Sequence, residues 1–291
     1  MEEKKTQPKI FIVILNYNGK ETLPECLACV FQSTYPNFEV VVVDNASQDG
    51  SFELAKENFS RAHFIKNTAN LGFSKGNNIG IRFALEKFAD FVFLLNNDAS
   101  LEKNALSELV NNLQSSQQTA LINPLILEGN KKTIWFAGGT INWLKARTLH
   151  QATVPTTKSY STAYCTGCAM LIPKEIFKEI GLFDERYFLY YEDADFSLRA
   201  QQAGFPLLVC SSAKVYHKEQ SNTQNPLKTY WLVLSGMLFF QTHGNFLQKI
   251  YFSCYFSLRN FKNSFRVFTK ENPQTLQVKQ AYQDFDKIKA S

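Results

Sequence analysis

No stretch of this 291-residue sequence is apolar for long enough to span a bilayer. The opening segment, Met1 to Lys9, is polar and charged and lacks the apolar core of a secretory signal. The expectation is a cytoplasmic chain whose six cysteines stay reduced. There is no G-x-G-x-x-G after the first apolar segment and no G-x-x-x-x-G-K-[ST] anywhere, which argues against dinucleotide dehydrogenase and P-loop chemistry. A net charge of +5 is too small to argue for a nucleic-acid partner, and none is expected. The pairs Cys26/Cys29 and Cys165/Cys168 have C-x-x-C spacing but lack the intermediate spacing of a compact zinc module, so they read as buried thiols. Acids are missing altogether from Gln220 to Lys270.

What is present is organised around Asp90 to Ser100. The apolar run Phe91 to Leu95 predicts a strand buried on both faces, as in a parallel sheet. It stops at Asn96-Asn97-Asp98. A carboxylate at the carboxyl end of a parallel strand lies where α/β sheets open to ligands, and burying it there requires a cation or a hydrogen-bond donor. The competing reading is a helix N-cap at Asp98 or Ser100 for a helix over Leu101 to Leu113.

Upstream, strands are predicted over Lys9 to Leu15, Phe38 to Val43 and His63 to Ile65. Helices are predicted over Glu21 to Gln32, Asp49 to Phe59 and Asn77 to Phe88, the last facing Ile79, Phe83 and Leu85 or Phe88 inward. The alternation predicts a doubly wound α/β sheet. Its strands end in Asn16-Tyr17-Asn18, Asp44-Asn45 and Asn96-Asn97-Asp98, which converge on one edge. Tyr17 there suits stacking on a base, and Asp44 suits hydrogen bonds from a base or ribose; an Asx turn is the alternative for Asp44. Further on, strands are expected at Thr119 to Leu127, within Ile134 to Ile141, and at Tyr164 to Pro173. A loop or edge hairpin covers Arg147 to Ser161, and a helix over Lys174 to Ile180 stops at Gly181. Gly167 marks a place where backbone approaches a ligand closely.

A second dense stretch holds Glu192, Asp193 and Asp195 after an aromatic run, ahead of a helix expected from about Phe196 to Gly204. Capping and the helix dipole account for one or two of these acids, leaving one free to act as a base. Asp195 is the expected cap, with Glu192 paired to Arg199 or another cation. After a strand over Leu207 to Val209, Val215-Tyr216-His217 presents a histidine able to bind a divalent ion together with Asp98. Beyond it, Trp231 to Lys270 is aromatic, basic and amphipathic. Two readings stand for it: a helix lying at the membrane interface, or a hairpin burying its aromatic residues on the preceding domain.

These pieces together resemble the family 2 glycosyltransferases of the GT-A fold, in particular rhamnosyltransferase-like members that build surface polysaccharide. The matching segments are Ile14-Leu15-Asn16-Tyr17-Asn18-Gly19, Val42 to Ser47, Asn70-Leu71-Gly72-Phe73 with Gly76-Asn77-Asn78, Leu94 to Asp98, Thr166 to Met170, Phe183-Asp184-Glu185, Glu192 to Asp195 with Leu198-Arg199, and Val215-Tyr216-His217. The resemblance implies a mainly parallel mixed sheet flanked by helices, a catalytic domain over residues 1–220 and a helical region over 221–291. It also implies a nucleoside-diphosphate sugar donor contacted by Leu15, Asn16, Tyr17, Asp44, Asn70, Lys75, Asn97 and Gly167. Mg2+ or Mn2+ would be held by Asp98 and His217, and Asp193 would be the base. The acceptor would be a glycan or a lipid-linked glycan at the cytoplasmic face of the membrane. Two departures stand out: Asn96 where the family's D-x-D motif begins with Asp, and Ser235-Gly236 where many relatives carry Arg-Asn. A nucleotidyltransferase, or a catalytically inactive nucleotide-sugar-binding protein peripheral to the membrane, is the alternative; the first fits poorly because Asn16 to Lys20 supplies only one Gly and one Lys.

Overall fold

A computed structural model describes residues 7–116, 118–218, 225–269 and 272–290. The first half alternates as expected: β1 (Ile10–Asn16), α1 (Leu23–Val30), β2 (Phe38–Asp44), α2 (Ser51–Asn58), β3 (His63–Lys66), α3 (Gly72–Glu86) and β4 (Phe91–Asn96). These four strands are parallel and stand in the order β4-β1-β2-β3. Ile10, Phe11, Ile12, Val13 and Ile14 are all fully buried, so β1 is covered on both faces, which is why its sequence is apolar throughout.

After β4 comes a short strand, β5 (Ala99–Leu101), and then α4 (Ala105–Ser116). Because β5 intervenes, neither Asp98 nor Ser100 caps that helix. The sheet continues through β6 (Leu121–Glu128) and β7 (Ile134–Phe136). The pair β8 (Gly139–Asn142) and β9 (Arg147–His150) forms a separate antiparallel ribbon, so Ile134 to Ile141 does not form a hairpin with itself. β10 (Ser159–Ser161), β11 (Ala169–Pro173), α5 (Lys174–Ile180), α6 (Glu192–Gln202) and β12 (Leu207–His217) complete the layer. β11 runs antiparallel between β4 and β6, and β12 is parallel to β6. The expected short strand at Leu207 extends to His217, carried through an irregularity between Cys210 and Lys214.

α3 begins five residues earlier than its apolar periodicity predicts, and Ile79, Phe83 and Leu85 pack half-buried against the core as expected. Gly76, Gly80, Ile81 and Ala84 are buried, whereas Phe88 is 86% exposed. A β-carbon at Gly80 would overlap the Val13 side chain, and one at Gly76 would overlap Leu15. The helix can lie this close to β1 only because its contact face has no side chains there.

The chain ends in α7 (Pro226–His243), α8 (Phe246–Thr269) and α9 (Pro273–Ala290). Leu234, Met237, Leu238, Phe239 and Phe240 of α7 join one apolar cluster with residues of β1, β6 and β12, and with Phe252, Phe256 and Tyr282 of the following helices. The expected boundary at 220/221 lies outside the described residues, as do Lys270 and the side chains of Arg266 and Phe268. No helix among the described residues is long and apolar enough to cross a membrane.

Candidate active site

The parallel strands β1, β2, β4 and β12 all end on one edge of the sheet, and β11 enters from that edge. Topology alone therefore brings the loop before β11 beside the end of β4, where Asn96 N–H donates to the Cys168 carbonyl at 2.9 Å. Over this edge opens a cavity of about 620 Å3. Its walls include Tyr17, Asn97, Asp98, Gly167, Asp193 and His217.

Asp98 and His217 are 119 residues apart in sequence, and the pairing of β5 with β12 joins them. His217 stands opposite Ala99, and Lys218 N–H donates to the Asp98 carbonyl at 2.9 Å. The side chains meet with His217 Nε2 3.0 Å from Asp98 Oδ1. Burial opposes a charge on the imidazole, but the Cys168 sulfur and the Asp98 carboxylate outweigh it and push its pKa up to about 11. Among the described residues, Nδ1 of the same ring is buried without a hydrogen-bond partner. Two adjacent ligands of an octahedral cation, each about 2.1 Å from it, lie about 3.0 Å apart, so this pair matches one edge of such a coordination sphere. Among the described residues no third His, Cys, Asp or Glu joins them in ligand geometry.

Asp193 lies in the first turn of α6, which starts at Glu192 and not near Phe196. Tyr190 and Tyr191, immediately before it, both have left-handed backbone (φ 70° and 66°), an unfavourable conformation for aromatic residues. That double kink turns the first acids of α6 toward the cavity. The half-buried Asp193 carboxylate accepts from Gly167 N–H at 3.0 Å and Ala194 N–H at 2.7 Å. Burial raises its pKa and exceeds the opposing effect of these donors, leaving a carboxylate more basic than usual. Asp195, two residues on, is 1% exposed and already bound: Arg199 Nε lies 2.9 Å from Oδ2, and His243 Nε2 lies 2.7 Å from Oδ1. The expected Glu192–Arg199 pair is therefore replaced by Asp195–Arg199. Glu192 is 5% exposed, its Oε2 has no partner, and burial followed by the neighbouring Asp193 pushes its pKa well up.

The remaining expected donor contacts divide into two groups. Asn16 and Asp44 are fully buried beneath the cavity floor. Asp44 accepts from Asn16 Nδ2 at 2.8 Å, Ser47 N–H at 2.9 Å and Ser47 Oγ at 2.6 Å, so its carboxylate holds the loops after β1 and β2 together. Asn16 Oδ1 in turn accepts from Asn97 Nδ2 at 2.9 Å, which links that floor to the cavity wall. Leu15 is half-buried, and Asn70 and Lys75 are exposed along the same side of the sheet without lining the cavity. Tyr17 is 51% exposed at the cavity mouth.

Sequence reasoning did not find Trp135, Thr148, His150 or Tyr164 on the wall. The Trp135 ring lies 4.4 Å from His150 and 4.6 Å from His217, between centroids. These residues sit on or beside short strands whose place is set by distant pairing, and the local signal is limited to a Trp just before Gly138-Gly139 and a His closing β9. Of the two cysteine pairs, Cys26, Cys165 and Cys168 are buried thiols, and burial raises the pKa of Cys26 and Cys165. Gly236 packs against Tyr191: a β-carbon there would lie 3.2 Å from its ring, and Ser235 donates to the Leu189 carbonyl at 2.8 Å.

The family model described as Glycosyl transferase family 2 matches residues 11–181. A low-salt glycan biosynthesis hexosyltransferase of Haloferax volcanii is 27% identical over 220 residues, covering 72% of this chain and 66% of that protein. A dTDP-rhamnosyl transferase of Shigella flexneri is 26% identical, covering 72% and 68%. The N-acetylglucosaminyl-diphospho-decaprenol L-rhamnosyltransferase of Mycobacterium tuberculosis is 24% identical, covering 74% and 78%. Among solved structures, GalNAc-T7 with UDP, GalNAc and Mn2+ superposes with a TM-score of 0.69 at 20% identity, over 97% of this chain and 55% of that one. Staphylococcus aureus TarS with UDP gives 0.57 at 18%, over 90% and 72%. The sheet order, the flanking helices and these likenesses agree on a GT-A-like fold, and with the family model spanning more than half its length, this chain belongs to glycosyl transferase family 2.

Proposed function

We propose that this chain is a metal-dependent, inverting glycosyltransferase. It moves a hexosyl or rhamnosyl group from a nucleoside-diphosphate sugar to a hydroxyl of a glycan or lipid-linked glycan during surface-polysaccharide synthesis. The observation that carries the reading is a single cavity walled by Asp193, whose basicity is raised, and by the Asp98–His217 pair. The printed activities of the relatives support hexosyl or rhamnosyl transfer, and the UDP and Mn2+ in the neighbouring structures support the donor class and the ion.

In this reading the acceptor oxygen attacks the anomeric carbon from the face opposite the diphosphate. Its proton passes to the Asp193 carboxylate. The bond from the anomeric carbon to the diphosphate oxygen breaks, and the nucleoside diphosphate leaves with the electron pair. One displacement, with no protein nucleophile in the path, inverts the anomeric centre. Asp98 and His217 would hold Mg2+ or Mn2+, which when bound supplies positive charge for the leaving diphosphate. Tyr17, Leu15, Asn70, Lys75, Asn97 and Gly167 are the proposed donor contacts. Asp44 and Asn16 act from beneath, by fixing the loop that carries Tyr17.

The α8 helix supports work at a cytoplasmic membrane surface: Phe246, Leu247, Leu258 and Phe261 are each at least 69% exposed, with Lys249, Arg259 and Lys262 among them. Incubating the full chain with dTDP-, UDP- and GDP-sugars, glycan and lipid-linked glycan acceptors, and Mg2+ or Mn2+, and identifying the nucleotide released, tests the activity. Nucleoside diphosphate is the expected product. Pyrophosphate released instead in a parallel incubation with nucleoside triphosphates and sugar 1-phosphates would mark a nucleotidyltransferase, and no turnover of either substrate set would mark a binding protein.

A further inference from the structure

A second cavity, of about 590 Å3, lies between the C-terminal helices and the β8–β9 ribbon, outside the one that holds Asp193. Lys145 and Arg147 reach it from the ribbon, and Arg259 and Lys262 from α8. Among the described residues no carboxylate lines it and none of these four cations forms an ion pair. The Arg259 guanidinium lies 5.6 Å from the Tyr255 ring centroid. Four like charges gathered around a concave, ligand-sized space repel one another until an anion enters, and Arg and Lys in convergence are the side chains that recognise phosphate oxygens.

Two further observations say which phosphate. Leu258, Phe261 and Phe265 of α8 are 69%, 76% and 64% exposed, and helical periodicity places them on one strip beside Arg259 and Lys262. The cationic lip is thus bordered by an apolar one, as suits a molecule with a charged head and a hydrocarbon tail. In addition, Tyr191 and Leu232 line both cavities. A group held in the second cavity is therefore separated from Asp193 by the wall that carries the kinked Tyr191. Gly236, which also lines the second cavity, leaves room there because it has no side chain.

We propose that this second cavity binds the diphosphate of a prenyl-diphosphate-linked glycan acceptor, with the tail on the α8 strip and the sugar reaching past Tyr191 to Asp193. The proposal rests on the glycosyltransferase reading and names its acceptor class.

The test titrates farnesyl diphosphate into the full chain already saturated with UDP, with farnesol and inorganic pyrophosphate as controls. Farnesyl diphosphate is expected to bind alongside UDP, with salt-sensitive affinity, while farnesol does not bind and pyrophosphate binds more weakly. The double substitution Arg259→Gln/Lys262→Gln, at two exposed positions, is expected to weaken farnesyl diphosphate on the order of 100-fold, about tenfold for each charge-assisted hydrogen bond removed. UDP affinity should stay within about twofold. Displacement of farnesyl diphosphate by UDP, or indifference to the double substitution, would overturn the proposal by placing the diphosphate in the donor cavity. Equal competition by glycerol phosphate would overturn it in favour of a general phospholipid headgroup site. Failure of UDP to bind the unaltered chain would instead count against the donor reading, and is read from the first titration alone.

Discussion

Three acids within four residues divide the labour at the start of α6, and substitution should separate them. Asp193→Asn keeps the shape and removes the base, so turnover should fall by on the order of 100-fold or more while donor affinity changes little; steady-state kinetics and a binding titration on one preparation check both. Asp195→Asn should instead act on stability, by about 3 kcal/mol in a denaturant titration, because it leaves Arg199 and His243 without their shared carboxylate. Glu192 gives a pH-dependent signal. Its native pKa is raised, so the folded state binds more protons than the unfolded one above the ordinary carboxylate range, and this group lowers stability as pH rises. Glu192→Gln should therefore raise the melting temperature more at pH 8 than at pH 5. An equal gain at both would show that the carboxyl is not held neutral. The same sign applied to Asp193 places the acid limb of turnover above the usual carboxylate range near pH 3.9. The sequence shows that one acid here is free, because three exceed what a helix terminus uses. Which acid pairs with Arg199 depended on where the helix begins: Asp195 is four residues from Arg199 and faces it, whereas Glu192 is seven away.

Single elements carry their own tests. An alanine at Gly80 gains about 1 kcal/mol of helix propensity but drives a methyl into Val13, and overpacking of that kind costs about 1–3 kcal/mol. Gly80→Ala should therefore be neutral to destabilising by denaturation, the reverse of an exposed helical glycine. This close approach was not legible beforehand. Apolar periodicity finds the side chains that pack, and here the closest approach of α3 to the sheet is made where side chains are absent, with Phe88 left in solvent. On α8 the structure divides the apolar residues between the two readings, since Phe252 and Phe256 pack inward while Leu258 and Phe261 do not. Leu258→Ser with Phe261→Ser should reduce sedimentation with anionic vesicles at low salt without lowering the melting temperature. A fall in melting temperature would mean that the strip is covered in the folded protein.

At the level of the molecule, the alternation of strands and helices made the first sheet legible, and with it the convergence of Asn16, Asp44 and Asp98 on one edge. The second half was less legible, because β5, β7, β9 and β10 are three or four residues long and their pairing is decided by distant partners. That is why His217 and Asp98 were nameable while Trp135 and His150 beside them were not. Chelation of divalent ions should abolish transfer, and Asp98→Ala should weaken nucleotide-sugar binding as well as turnover; full activity in excess chelator would remove the ion from the reaction. The bridge from Asp195 to His243 reaches further. It fastens the helix bearing the proposed base to the last residue of α7, whose Phe239 and Phe240 lie in the same apolar cluster as β1 and β12. Calorimetry should accordingly give one cooperative transition for the whole chain, and a fragment ending at residue 218 should melt broadly and earlier, since cutting there removes one of the two hydrogen-bond partners of the buried Asp195 carboxylate and uncovers the apolar cluster that α7 closes.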